Sequence, residues 1–227
     1  MSLFPVDVLM HVYMFCDALG HPAFAEQERL APDDILAEAL LQIKELGRLC
    51  PPESFERNPI RTAEHMTQTD AAAYCPFAYG YSNYSRPGYA PGLLKAGELV
   101  QFQGQPLRST LGGAGLAVSA KSAHRDIAAD YARFTAAPET QKGIYFEAGG
   151  QPGHRAVWTD ARVNAASSNF FQDTLPTLDA ARLRPQYRGY MDFQDHASPV
   201  AHAAVAGRMT VSDSVRELNR IFEKSLR

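Results

Sequence analysis

Asp192, Asp195 and His196 stand within five positions of one another, and these are the residue types of acid–base catalysis. Aimed at one bond by the fold they would make a small hydrolase, but no nucleophile motif such as G-x-S-x-G accompanies them, and solvation or capping is the commoner fate of such a group. Cys75 could be a nucleophile if the fold brought a base such as His65 to it, whereas burial as a small hydrophobe asks for no partner. Seven histidines raise the question of a metal, yet there is no H-E-x-x-H. His196 and His202, six apart, would point about 120° from each other on a helix, so they share no ligand face. Gly112-Gly113-Ala114-Gly115 lacks both the G-x-G-x-x-G spacing and a Walker Lys-Ser/Thr ending. It reads instead as a tight turn, or as bare backbone against which a ligand can lie. No metal and no cofactor is implied.

A different chemistry is suggested between Tyr74 and Tyr84, where Tyr74, Phe77, Tyr79, Tyr81 and Tyr84 place five aromatics within eleven residues, beside small residues. Aromatic faces suit the C–H surfaces of sugars, and phenol hydroxyls suit sugar hydroxyls. The competing reading is packing, since alternate aromatics on an extended segment can fill a core. Trp158, after the turn-rich stretch Gly149 to Arg155, either borders a pocket or joins a core.

These residues need a scaffold, and 227 residues with 45% hydrophobic and 21% charged content can build one. A net charge of −3 leaves no cationic excess for a phosphate backbone, so nucleic acid is not an expected partner. No apolar run is long enough to cross a bilayer. Cys16, Cys50 and Cys75 allow at most one internal disulfide and leave the redox compartment open. The start, MSLFPVDVLMHVYMF, has neither the basic region nor the cleavage site of a signal peptide, and it reads as a chain whose beginning has been removed.

The apolar run Val6–Met14 reads as a buried strand, and Ala71–Cys75 as a second, both in a sheet covered by the helices Pro32–Leu49 and Val211–Leu226. A shorter helix is predicted over Arg61–Gln68, and mostly loop from Pro76 to Pro106. Leu116-Ala117-Val118 reads as a strand, followed by a helix capped by Ser122 and carrying Ile127, Tyr131 and Phe134. Pro138 opens a further helix that Gly149-Gly150 ends. Helical patterns recur over Ser168–Leu175 and Pro199–Ala206, separated by the Arg184–Asp195 stretch. Strand signals alternating with helical ones favour an α/β or α+β layered architecture.

The order of these motifs resembles the C-terminal part of the family 1 extracellular solute-binding proteins, the carbohydrate receptors of bacterial ABC importers. The strongest block is LGGAGLAVSAKSAHRDIAADYARFTAAPETQKGIYFEAGGQPGHRAVW, from Leu111 to Trp158. In that family a glycine turn leads to a strand, a Ser-capped helix and a Pro-started helix that ends before a Gly-Gly-x-Pro turn. LRPQYRGYMDFQD and VSDSVRELNRIF resemble the family's late segment and terminal helix.

The resemblance implies an α/β, periplasmic-binding-protein-like (type II) lobe, mostly the second lobe of a two-lobe receptor. It divides the chain into 1–115 with the aromatic loop, a 116–157 segment that packs on the first lobe, and a 158–227 return. It implies carbohydrate capture without chemistry, a membrane permease as partner, and a periplasmic or extracellular location. The residues carried over for ligand binding are Phe77, Tyr79, Tyr81, Gly112, Gly113, Tyr187 and Arg188. With the first lobe absent, the 116–157 segment should expose apolar surface or bury it by self-association. A hydrolase using His196 with Asp192 or Asp195, and a structural fragment that binds nothing, are the alternatives.

Overall fold

The computed structural model describes residues 1–227. Where the sequence predicts a strand over Val6–Met14, the chain forms helix α1, Pro5–Ala18. Pro5 fits a first helical turn because the N–H it lacks has no partner there, and Asp7 complements the same turn. Val8, Leu9, Met10, Val12, Met14, Phe15 and Cys16 are all buried, so the helix is apolar nearly all round. Such a helix shows no apolar stripe and looks like a buried strand in the sequence.

Helices α2 (Asp33–Arg48) and α3 (Pro59–Gln68) lie where the spacing puts them. Leu36, Ala39, Leu40 and Ile43 form the buried stripe of α2, and Asn58 caps α3 by accepting from the Arg61 N–H at 2.9 Å. The strand predicted over Ala71–Cys75 does not form. That segment is irregular, with Tyr74 68% exposed, because no neighbouring strand offers it a ladder. Pro76–Pro106 is loop apart from a 3₁₀ turn, Ser82–Ser85, and a short hairpin of β1 (Gln101–Phe102) and β2 (Gln105–Pro106). This hairpin is the only sheet, so the lobe is rich in helix and poor in strand.

Leu116-Ala117-Val118 is likewise exposed and irregular rather than a strand. Helix α4 (Arg125–Ala136) starts later than a Ser122 cap would place it; the Ser122 hydroxyl accepts from the His124 N–H at 3.1 Å instead. Pro138 opens α5 (Pro138–Thr140), which continues through a π turn, Gln141–Tyr145, until Gly149 with φ +95° ends it. Then follow α6 (Arg155–Trp158), α7 (Ala161–Ala166), α8 (Phe170–Ala180), α9 (Tyr190–Val205) and α10 (Val211–Ser225). The sequence places the start of α9 at Pro199, but Pro199 lies inside the helix on an exposed turn, where water can satisfy the carbonyl it leaves unpaired.

Packing divides the molecule in two. In the main body, α1 and α10 both pack on α9 and α2 around a large core. A smaller body has its own core of Phe146, Val157, Trp158, Val163, Phe170 and Phe171. That core runs past residue 158, so the chain returns to the main body near Arg182. There the chain crosses beside its own outgoing segment: the Arg182 N–H donates to the Ser109 carbonyl and the Leu111 N–H to the Arg182 carbonyl, each at 2.8 Å. Asp17, in the last turn of α1, accepts from Arg182 at 2.6 Å and faces Arg108 at 3.8 Å, tying the crossing to the main body. These cations offset the repulsion between a carboxylate and a helix C-terminus.

Helix α4 buries none of its residues. Ile127, Tyr131 and Phe134 are 70%, 63% and 56% exposed and share one stripe, and Leu116 and Ile144 of the same segment are exposed too. The three cysteines are free, and burial pushes the Cys16 thiol up to about 12.

His11 is buried on α1, with Nε2 3.0 Å from the Ser2 carbonyl oxygen and its ring against Phe77 at 4.7 Å. Burial lowers its pKa from 6.5 to about 4. On acidification the unfolded chain takes up this proton first, so the stability that neutral His11 contributes is complete above pH 6.5 and is lost as pH falls through about 4. The expected loss is about 3 kcal/mol. Denaturant unfolding across that range should show it, with a flatter profile for His11→Gln; parallel profiles would assign the acid sensitivity elsewhere.

Candidate functional site

Tyr79 is half-buried, and its ring lies against Gly112: a Cβ added there would come within 2.9 Å of the ring. Glycine is needed at Gly112 for this close approach. Gly113 next to it is exposed, with open space where a side chain would go. Tyr81 is 41% exposed on the same loop. Between the two tyrosines, Gly80 sits so close to the Phe170 ring that a Cβ would approach it to 2.9 Å. The aromatic loop is thus wedged between the glycine turn and the smaller body, next to the crossing. Tyr79 and Gly112 meet at this seam, and Tyr81 and Gly113 are exposed one or two residues along the chain from it.

The other predicted residues are placed differently. Phe77 is 5% exposed, its ring packed against His11 and, at 6.3 Å, Phe15, so it serves the core. The Tyr187 hydroxyl is 2.8 Å from the Ser225 hydroxyl and its ring lies against Tyr190 and Phe222, which anchors the end of α10. Arg188 is exposed beside it.

Sequence reasoning missed Arg184, Tyr190 and Gln194. Arg184 donates to the Gln194 side-chain oxygen at 2.9 Å, and the Tyr190 hydroxyl donates to the same oxygen at 3.3 Å. Burial raises the pKa of the Tyr79 phenol, with the Arg184 guanidinium pulling the other way, and Tyr190 is likewise raised by burial and opposed by Arg184. Both phenols therefore stay protonated at neutral pH, Tyr190 with its proton committed to Gln194 and Tyr79 half-buried at the glycine turn. The only signal for this group was the Arg- and Tyr-rich stretch after residue 184, which singled out Tyr187 and Arg188 instead.

The acid–base candidates do not assemble. Asp192, Asp195 and His196 are exposed on α9, and the His196 ring meets the Asp192 backbone carbonyl at 2.7 Å rather than a carboxylate. The Cys75 thiol donates to the Phe77 carbonyl at 3.5 Å. Trp158 is buried in the smaller core, its N–H donating to the Pro152 carbonyl at 2.8 Å. No group of three or more His, Cys, Asp or Glu is gathered to hold a metal. A concavity of about 780 Å³ lies elsewhere, between the start of α2 and α10. Arg216, Arg220 and Arg227 line it together with Glu223, and each arginine already pairs with a carboxylate three or four residues before it (Asp213, Glu217 and Glu223), so it offers little unspent recognition chemistry.

No family model matches the chain. Among solved structures it superposes on maltose-bound MalE3 of T. maritima with a TM-score of 0.80 and 19% identity, over 98% of this chain and 59% of that one. An ABC transporter solute-binding protein of Thermotoga lettingae bound with alpha-D-tagatose gives a TM-score of 0.78 at 18% identity, over 100% and 59% of the two chains. One from Agrobacterium radiobacter in complex with ribitol gives 0.75 at 18%, over 96% and 56%. These likenesses show the fold: the chain is periplasmic-binding-protein-like and spans somewhat more than half the length of these chains. No helix is long and apolar enough to cross a membrane.

Proposed function

We propose that the chain is the binding part of the substrate-binding component of an ABC importer for a carbohydrate or sugar alcohol, acting by capture without turnover. The observation that carries this reading is the seam where the Tyr79 ring lies on Gly112, with Tyr81 and Gly113 open beside it. A ring face, donor phenols and bare backbone in one place suit a polyhydroxylated ligand. The nature of the ligands in the three neighbours supports the same class. The exposed Arg184, whose charge acts on the Tyr79 phenol, adds a donor near the seam. The expected setting is the periplasm or the outer cell surface, with a membrane permease as partner.

The test is equilibrium binding to a panel of monosaccharides, oligosaccharides and sugar alcohols, followed by recovery of the ligand. Binding of one class with the ligand recovered intact supports capture. Conversion of the ligand would revive the hydrolase reading on His196.

Self-association belongs to the same proposal. The exposed stripe of Ile127, Tyr131 and Phe134 fits a second copy of the chain: across an antiparallel copy Asp126 near one end of α4 would face Arg133 near the other, which would share its exposed bond to Asp130. Sedimentation should show a concentration-dependent dimer that Phe134→Asp dissociates. A monomer at all concentrations would remove it.

A further inference from the structure

The smaller body meets the main body's loops at a second place besides the crossing. The Ser82 backbone N–H donates to the Gln151 side-chain oxygen at 2.9 Å, and the Gln151 amide donates back to the Gly80 carbonyl at 3.2 Å. Arg86 donates to the carbonyls of Phe146 and Gly150 at 2.6 and 3.2 Å, its guanidinium carbon 3.8 Å from the Phe146 ring centroid. The 3₁₀ turn that ends the aromatic loop is thereby covered by the Gly149–Gln151 turn.

This contact is incomplete in one respect. It buries the Ser82 hydroxyl, the Asn83 side-chain oxygen and the Arg86 Nε–H without a hydrogen-bond partner for any of them. Ser82 as a whole is 1% exposed. Arg86 takes part in none of the chain's ion pairs, and burial alone lowers its pKa. Buried polar groups are nearly always paired, so three orphans within five residues mark a place where a partner is missing. The set comprises one group that both donates and accepts, one acceptor and one donor, which matches hydroxyls on neighbouring carbons, each able to donate and accept.

We propose that this seam is a subsite for the vicinal hydroxyls of a sugar or sugar alcohol, with Ser82, Asn83 and Arg86 as its binding residues. The inference rests on the capture reading above and adds residues to it. Phe146, Gly150 and Gln151, which cover the turn, belong to or adjoin the body with its own core, joined to the main body at the Ser109–Leu111 and Arg182 crossing. A rotation there uncovers the turn for entry and closes it over the ligand.

The experiment is thermal unfolding of the chain with and without a panel of sugars and sugar alcohols that includes maltose, D-tagatose and ribitol, for the wild type, Ser82→Ala and Asn83→Ala. Removing an unpartnered buried group should leave the ligand-free Tm unchanged or higher, while the ligand concentration needed for half of the Tm gain should rise at least tenfold. If the wild type gains and both variants gain equally, the subsite is wrong and the capture reading stands. If a variant loses ligand-free stability with its ligand response intact, resident water fills the seam and the subsite is again wrong. If the wild type responds to nothing on the panel, both readings fall. Should Asn83→Ala not fold, Ser82→Ala decides alone.

Discussion

Phe171→Ala should melt the smaller body while the main body stays folded. Phe171 is fully buried and packed edge-to-face against Trp158, Phe170 and Phe146, at 5.1, 5.2 and 6.1 Å between ring centroids. Truncating a buried Phe costs ~3–5 kcal/mol, in lost transfer energy and in the cavity left behind. The smaller core has six buried residues and cannot absorb that loss, whereas the main core shares none of them. Trp158 is the only tryptophan and sits in the smaller core, so its fluorescence reports on that body, while far-UV circular dichroism is dominated by the long helices of the other. The fluorescence transition of the variant should come at lower denaturant than the dichroism transition. Coincident transitions, shifted together, would mean that the two cores unfold as one unit.

Gly189→Ala should destabilise the main body. Gly189 precedes α9, and a Cβ there would land on the Ser225 carbonyl oxygen at the end of α10. The obstacle is backbone, held in place by the Tyr187–Ser225 hydroxyl contact, so no side chain can rotate away. Overpacking of this kind costs ~1–3 kcal/mol or more. Gly113→Ala is the contrast, since open space surrounds that position. Denaturant midpoints should fall clearly for Gly189→Ala and stay within about 0.5 kcal/mol of wild type for Gly113→Ala. Equal effects would mean that the close approach of α9 to α10 carries no energetic weight.

Amphipathic helices were legible in the sequence, and symmetrically buried ones were not. In α2 and α10 one face meets the core and the other meets water, so Leu36, Leu40 and Ile43, or Val215, Leu218 and Phe222, recur at helical spacing. In α1 the helices α2 and α9 and the loop rings Phe77 and Phe102 together cover nearly the whole circumference, the stripe vanishes, and the run imitates a strand. Ala71–Cys75 and Leu116–Val118 are short apolar runs that could have been buried strands, but a strand needs a paired edge, and this chain supplies them none. Of the site, the Tyr79–Gly112 approach was foreshadowed by an aromatic loop and a glycine turn in the right order. Arg184, Gln194, Ser82, Asn83 and Arg86 were not, because their roles depend on which backbone carbonyls and rings the fold brings to them. Phe77 shows the converse: its two-residue spacing from Tyr79 and Tyr81 would put all three on one face of an extended strand, but the segment is irregular and Phe77 turns into the core against His11 and Phe15.

Titration calorimetry of the wild type and Tyr79→Ala, against the ligand that the panel identifies, tests the central claim most directly. Losing the ring contact and the phenol donor should weaken binding by ~1–3 kcal/mol, roughly 5- to 150-fold, with no heat of turnover and the ligand recovered intact. The same affinity in both proteins would remove Tyr79 from the site, and turnover by the wild type would contradict capture altogether.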